Sequence, residues 1–468
     1  MPTEFDAIVL GGGPGGYPCA IRLAQLGQTV ACVEEEEIGG VCLNWGCIPS
    51  KALISNAHLY HKAQTGAEVG LSFGAITLDV PKMQVWKDGI VKKLTSGVRG
   101  LLKSNGATVV EGRGRLLDAH TVEVQGKDGK QTLTAKRGIV IATGSATIQV
   151  PGFEFDGKRI IGARQAVSLQ EVPKRLLVVG GGVIGLELGM VYQSFGAELT
   201  VVELTPSLLP GTDPEAVKVV ERTLKKRGAK IYTETRADGY ELAPNGAVRV
   251  KLKTKTQDEV VECDQVLVAV GMKPRSRELG LEALGVQIDP RGFILTNDVC
   301  QTNVAGIYAI GDVSGPPMLA HKATKEGEVC AEVLAGHKAG KDWTSIPGII
   351  FTDPEIATAG MSEADAVKQG HKVKLGKFPF SALGRAMSIR ETEGFVKVIM
   401  DAETKRVLGV TIVGPAASDL ISEAMLAVEM TASAEDLALT VHPHPTLGEA
   451  LMEASAAALG QAIHIPNR

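Results

Sequence analysis

The feature that most restricts this chain is a duplication. The apolar run Ala7–Leu10 leads into Gly11-Gly-Gly-Pro-Gly-Gly16, then a helical stretch to Leu26, Gly27, and a strand-like run from Thr29 to Glu34. The same order returns as Leu176–Val179, Gly180-Gly-Gly-Val-Ile-Gly185, a helical stretch to Phe195, Gly196, and a strand-like run from Leu199 to Glu203. Gly13, Gly16, Gly27 and Glu34 thus recur 169 residues later as Gly182, Gly185, Gly196 and Glu203. One glycine-rich turn is weak evidence, because such turns often serve structure alone. Two of them, each between strand and helix and each followed 18 residues later by glutamate, read as two dinucleotide-binding βαβ units. Gly11, Gly13 and Gly16, and then Gly180, Gly182 and Gly185, permit a tight turn that lets backbone N–H groups and a helix N-terminus approach a pyrophosphate. Glu34 and Glu203 are placed to accept the hydroxyls of a ribose. At the second site Glu203 would repel a 2'-phosphate, and no arginine pair follows in Leu204–Pro210, so NAD is expected there rather than NADP.

Each half closes with a strand and a glycine turn, Gly138–Gly144 in the first and Val266–Gly271 in the second. Gly144 and Gly271 therefore mark domain ends. The expected architecture is α/β: a dinucleotide-binding domain over 1–147, a second over 148–271, a central domain over 272–343, and a C-terminal α+β domain over 344–468. The central segment carries Gly306-Ile-Tyr-Ala-Ile-Gly-Asp312, another short strand ending in glycine and aspartate. The last domain has no glycine fingerprint; it mixes strand-like runs (Phe395–Met400, Val407–Val413) with a helical stretch over Ser418–Met430. Pro18 is expected to interrupt the start of the first helix.

Composition narrows the class further. With 44% hydrophobic and 22% charged residues the chain is globular, and a net charge of -4 argues against nucleic acid or an anionic membrane as partner. No apolar run reaches the roughly 18 residues of a membrane span. The N-terminus lacks the pattern of a secretory signal, so a cytoplasmic location is expected. Seven cysteines, an odd number in a large chain, do not form a secreted disulfide framework.

Between the first βαβ unit and its next helix lies Gly39-Gly-Val-Cys-Leu-Asn-Trp-Gly-Cys-Ile-Pro-Ser-Lys51. Cys42 and Cys47 have no second Cys/His pair at ligand spacing, so a redox disulfide fits better than a metal half-site. Thiolate chemistry needs a lowered pKa, and Pro49 suits the first turn of a helix whose N-terminus would supply it. Near the C-terminus stands His442-Pro-His-Pro-Thr-Leu-Gly-Glu449, where prolines restrict the backbone around His444 and Glu449 can accept its second ring N–H. By itself this segment is also compatible with a surface turn. The other cysteines (Cys19, Cys32, Cys263, Cys300, Cys330) read as buried small hydrophobes.

At these residues the chain resembles the pyridine nucleotide-disulfide oxidoreductases, from residue 5 to about 460. The resemblance implies FAD on the first glycine loop, and a Cys42–Cys47 disulfide against the flavin. Cys42 would exchange with substrate, and Cys47 would form a charge-transfer thiolate. It further implies a Lys51–Glu187 pair beside the flavin, Asp312 on the FAD ribityl chain, Ala320 within a cofactor-contacting Met318–His321 stretch, and Gly144 and Gly271 at the FAD and NAD sites respectively. His444 would be the base, Glu449 its partner, and the His444–Pro445 bond cis. Absence of cysteine after Cys330, together with Val183, Gly185 and Glu203, makes the chain most similar to the members that oxidise protein-bound dihydrolipoamide with NAD. Their partners would be lipoyl domains of 2-oxo acid dehydrogenase or glycine cleavage complexes, and their form a homodimer with active sites shared between chains. An NAD-linked reductase of another disulfide and a catalytically idle assembly subunit are the rival readings. Met272 departs from the arginine commoner after Gly271.

Overall fold

A computed structural model describes residues 3–467. The chain divides into two compact units. One comprises the chain up to Val150 with Ile161–Val172 and Val270–Asp342; the other comprises Pro151–Ile160, Pro173–Ala269 and the chain from Trp343 onward.

The first unit is built on a seven-stranded sheet. Its order is Thr108–Glu111, Val30–Glu34, Glu4–Leu10, Gly129–Ile141, Thr121–Gly126 and Arg113–Leu116, and Ile307–Ala309 pairs with Gly129–Ile141 off this path. Strand Gly129–Ile141 is long enough to serve two pairings. Its first half runs antiparallel to Thr121–Gly126, and its second half runs parallel to both Glu4–Leu10 and Ile307–Ala309. Parallel strands end at one edge, and that is what gathers the expected cofactor residues: Gly11 follows Leu10, Gly144 follows Ile141, and Asp312 follows Ala309. The apolar runs that form these strands are buried, including Ile8, Val33, Ile139 and Ile307. Helix Gly16–Gln25 packs against helix Ala320–Ala335, and the approach is so close that a Cβ on Gly327 would lie 2.5 Å from the carbonyl oxygen of Gly15. Pro18 does not interrupt the first helix. It occupies the first turn, where the helix does not need its N–H.

In the second unit a parallel core of Lys230–Tyr232, Glu198–Val202, Arg175–Val179 and Gln265–Val268 supports helix Val183–Ser194. The three strands Arg236–Leu242, Val248–Lys253 and Asp258–Cys263 form an antiparallel sheet. The C-terminal sheet is antiparallel throughout, in the order Gly348–Ile350, Glu355–Gly360, Val407–Gly414, Phe395–Asp401, Val373–Pro379. Its strands Phe395–Asp401 and Val407–Gly414 are buried at every residue. That matches their largely apolar sequence, with Lys397 and Asp401 the charged exceptions in the first of them. Helices Ala417–Glu429 and Glu449–Leu459 complete the core through Ile421, Ala424, Leu451 and Ala454. Gly376 permits the second of these to settle on the sheet, since a Cβ there would lie 1.9 Å from the carbonyl oxygen of Ala454. No helix among the described residues is long and apolar enough to cross a membrane.

Candidate active site

The two glycine loops repeat each other in detail. Gly11 and Gly180 share φ +106°. A Cβ on Gly16 would lie 1.8 Å from the Gly11 oxygen, and one on Gly185 would lie 2.2 Å from the Gly180 oxygen, so only glycine closes either turn. Glu34 Oε2 accepts the Gly12 N–H at 2.7 Å and its Oε1 accepts the Glu36 N–H at 2.8 Å. Glu203 does the same with Gly181 at 2.6 Å and Thr205 at 2.7 Å. Each carboxylate is thereby fixed at the mouth of its loop. Burial raises the Glu34 pKa, opposed by the Glu36 and Gly12 N–H groups and by the charge of Arg275. At Gly182 a Cβ would meet open space within 4 Å, leaving room for a ligand to come close to the backbone. The loops therefore fit the diphosphate and ribose of a dinucleotide.

Asp312 lies at the start of the turn after Ile307–Ala309, and its Oδ2 accepts the Ser145 hydroxyl at 2.5 Å. Burial raises its pKa. The turn is held by a buried ion pair that lies outside the sequence motifs, Lys322 with Glu326. Lys322 Nζ donates to the Gly311 and Gly315 carbonyls at 3.3 and 3.0 Å and to Glu326 at 3.1 Å, while Glu326 Oε2 accepts the Gly311 N–H at 2.7 Å. Its only sequence signal is a Lys–Glu pair at i,i+4 on a buried helical face. Ala320 begins the same helix. Gly144 and Gly271 have φ of +69° and +128°, and strand Met272–Pro274 pairs antiparallel with Ser145–Thr147. Met272 thus stands in a strand opposite Thr147.

Cys42 and Cys47 are disulfide-bonded. Cys42 lies on the short helix Gly40–Trp45, and Cys47 is the first residue of helix Cys47–Gln64, so its sulfur sits where the helix dipole favours a thiolate. Asn44 braces the loop by donating to the Ile38 and Gly40 carbonyls at 3.1 and 2.9 Å. Arg164, paired with Glu36 at 3.2 Å, stacks 3.7 Å over the ring of Trp45 between the two cysteines. Lys51 is half-buried on the helix that Cys47 opens. In the second unit Glu187 is buried on helix Val183–Ser194 and its Oε1 accepts the Phe351 N–H at 2.9 Å.

His444 Nδ1 is 2.9 Å from Glu449 Oε1, the first residue of helix Glu449–Leu459, and the His444–Pro445 bond is cis. Burial opposes ionisation of Glu449, yet the Thr446 N–H at 2.8 Å and His444 hold its pKa below the ordinary value. A carboxylate on Nδ1 leaves Nε2 as the proton-accepting nitrogen. The His444 side chain is 79% exposed, so that nitrogen is open to a substrate.

Residues 5–327 match the pyridine nucleotide-disulphide oxidoreductase family, and residues 346–455 match the dimerisation domain of that family. The chain belongs to the pyridine nucleotide-disulphide oxidoreductases. It is 47% identical over 466 residues to a dihydrolipoyl dehydrogenase of Bacillus subtilis, covering 99% of this chain and 98% of the relative. It is 49% identical over 469 residues to a dihydrolipoyl dehydrogenase of Thermus scotoductus, covering 99% of each. Among solved structures, LpdA from Mycobacterium tuberculosis superposes with a TM-score of 0.90 at 28% identity, covering 97% of this chain and 99% of that one. The HOCl-induced flavoprotein disulfide reductase RclA of Escherichia coli, at 24% identity and a TM-score of 0.86, shares the fold. As a member of this family the protein is an oxidoreductase that uses FAD and NAD.

Proposed function

We propose that the protein is a dihydrolipoyl dehydrogenase, oxidising protein-bound dihydrolipoamide to lipoamide while reducing NAD to NADH. The observation that carries this reading is full-length likeness, at 47–49% identity, to dihydrolipoyl dehydrogenases in a chain that retains the bonded Cys42–Cys47 pair. His444, oriented by Glu449, takes the proton of one substrate thiol. The resulting thiolate attacks the Cys42 sulfur, the Cys42–Cys47 bond breaks, and Cys47 leaves as a thiolate. The second substrate sulfur then displaces Cys42, closing the lipoamide disulfide, and its proton passes to the departing Cys42 thiolate. FAD would be held by Gly11, Gly13, Gly16, Glu34, Gly144, Asp312 and Ala320, and would supply the redox chemistry that links the dithiol form of Cys42 and Cys47 to NAD. NAD is held by Gly180, Gly182, Gly185, Glu203 and Gly271. Lys51 and Glu187 are the charged groups that this reading assigns to the flavin side of the site.

In the same reading residues 1–147 bind FAD, 148–271 bind NAD, 272–343 complete the FAD site and 344–468 form the interface of a homodimer, in which His444 of one subunit serves Cys42 of the other. Exposed large apolar side chains in the C-terminal region, Leu426, Met430, Leu439, Val441 and Ile463, support such an interface. Lipoyl domains of 2-oxo acid dehydrogenase or glycine cleavage complexes supply the dithiol. The enzyme works in the cytoplasm, in keeping with five free cysteines. The test is a comparison of purified enzyme on dihydrolipoamide with NAD against glutathione disulfide and other disulfides with NADH. Preference for a low-molecular-weight disulfide other than lipoamide defeats this reading.

A further inference from the structure

Helix Pro214–Lys226 of the second glycine-loop half is fastened to the C-terminal sheet at both ends. At its start, Lys397 Nζ lies 2.5 Å from Asp213 Oδ2 and 2.9 Å from Glu215 Oε2, with only 4% of the lysine side chain and 10% of Asp213 exposed. Lys377 adds a second contact to Glu215 at 2.9 Å and lies over the Phe395 ring at 4.0 Å. At its end, Arg227 pairs with Asp353 at 2.5 Å, two residues after the Phe351 N–H that holds Glu187. Burial by itself would lower the Lys397 pKa, but Asp213 and Glu215 outweigh it and raise it. Taking a lysine and an aspartate out of water is costly, and a purely apolar contact would join the two surfaces at least as well.

Asp213 is more than an ion-pair partner. Its Oδ1 caps the helix, accepting the Glu215 and Ala216 N–H groups at 2.9 and 3.4 Å. It also ends the segment Leu204–Thr212, which starts directly after Glu203. That segment folds back on the glycine loop: the Leu209 N–H donates to the Gly181 carbonyl at 2.9 Å, and Leu208 is packed so near Gly181 that a Cβ there would lie 2.5 Å from it. The Gly181 N–H in turn holds Glu203. Next to Asp213, the Thr212 N–H donates to the Leu209 carbonyl at 3.0 Å, so hydrogen bonds and one peptide link run from Lys397 through Asp213, Thr212 and Leu209 to Gly181 and Glu203.

We propose that Lys397 is a positioning residue for the dinucleotide at the second glycine loop, acting through Asp213 and the Leu204–Thr212 segment, so that the C-terminal sheet sets the geometry of that site. The proposal rests on the reading of this loop as the NAD site. Its probe is ADP-ribose, which presents the adenosine and diphosphate without reducing the flavin, titrated calorimetrically into FAD-loaded enzyme. Lys397→Met should raise the ADP-ribose Kd roughly 3- to 30-fold, the range for a residue that modulates a site it does not touch. The rate at which dihydrolipoamide reduces the same enzyme should stay at its wild-type value. Lys397→Arg, which keeps the cation, should recover most of the affinity, and Asp213→Asn, which keeps the capping oxygen but loses the charge, should weaken binding as Lys397→Met does. Should Lys397→Met fail to fold, Asp213→Asn decides alone. An unchanged Kd, or a parallel loss of ADP-ribose binding and dithiol reduction, overturns the proposal. Wild-type enzyme that does not bind ADP-ribose brings down the NAD reading itself and this proposal with it.

Discussion

His444 and Glu449 are joined by a 2.9 Å contact across a five-residue span, with Glu449 16% exposed and His444 79% exposed. The carboxylate is sheltered while the imidazole it orients stands open, which is the arrangement a base needs if its substrate arrives from outside the chain. The Glu449 pKa is held below its ordinary value, so its folded-state pKa lies below that of the unfolded chain. Its stabilising contribution is then complete above the unfolded value and is lost as pH falls through the folded one. Glu449→Gln should flatten the acid side of the stability-versus-pH curve followed by thermal unfolding. It should also lower dithiol oxidation, by roughly 10²-fold or less because the imidazole itself remains. An unaltered acid limb together with unaltered turnover would remove Glu449 from both roles.

The shared site proposed above predicts a specific outcome of mixing subunits. His444→Gln and Cys42→Ser homodimers should each lose roughly 10² to 10⁴ in rate, as removal of a general base typically does. After dissociation and random reassociation, about half of the dimers are mixed, and each mixed dimer has one intact site and one site lacking both groups. Recovery of about one quarter of wild-type activity is expected from two-fold symmetry. Heterodimers that form yet recover nothing place both groups in one chain.

Glu203 should make the enzyme NAD-selective. Its carboxylate, buried and held by Gly181 and Thr205, has no freedom to move away from a 2'-phosphate. Like-charge juxtaposition costs several kcal/mol, so kcat/KM should favour NAD over NADP by about a hundredfold or more, and Glu203→Ala should narrow that ratio. Equal kcat/KM for the two cofactors in the wild type contradicts the assignment.

The glycine loops give a pair of substitutions with opposite consequences. Gly16→Ala places a Cβ against the Gly11 carbonyl, and Gly185→Ala places one against the Gly180 carbonyl. Both contacts are with backbone, which cannot swing aside as a side chain would, so each loop must distort. The first variant should purify with little FAD. The second should keep its yellow colour while its affinity for NAD falls by about tenfold or more, as a backbone shift of an ångström would cause. Retention of normal FAD content by Gly16→Ala is the result that counts against the first loop as its site.

Thiol chemistry should be confined to one pair. Cys19, Cys32, Cys263, Cys300 and Cys330 are free and buried. Desolvation pushes the Cys263 and Cys300 thiols up to about 12 and raises Cys32 and Cys330 further. Native oxidised enzyme should therefore show no rapidly reacting thiol toward an aromatic disulfide reagent, and reduction should expose Cys42 and Cys47 alone. Rapid labelling of any of the five before reduction, located by peptide mapping, is the contrary result.

What the sequence determined by itself is the set of features whose meaning is local. The two glycine loops could be read because each turn closes on its own backbone within six residues, and the duplication made chance an inadequate account. Cys42 and Cys47, five apart with Pro49 behind them, and His444 with Glu449, also five apart, carry their geometry in a single turn of chain. The effect of Pro18 is not local in this sense, because a proline disrupts a helix interior but not its first turn, and the position of that first turn depends on where the strand before it ends. The tertiary structure alone decided the rest. Ser145 meets Asp312 across 167 residues, Phe351 meets Glu187 across 164, and Lys397 meets Glu215 across 182. None of these residues carries a pattern in its own neighbourhood that names its partner. A hydrogen bond or ion pair acts over a few ångströms of space, and only the packing of parallel strand ends, helices and the C-terminal sheet brings such distant stretches of chain that close.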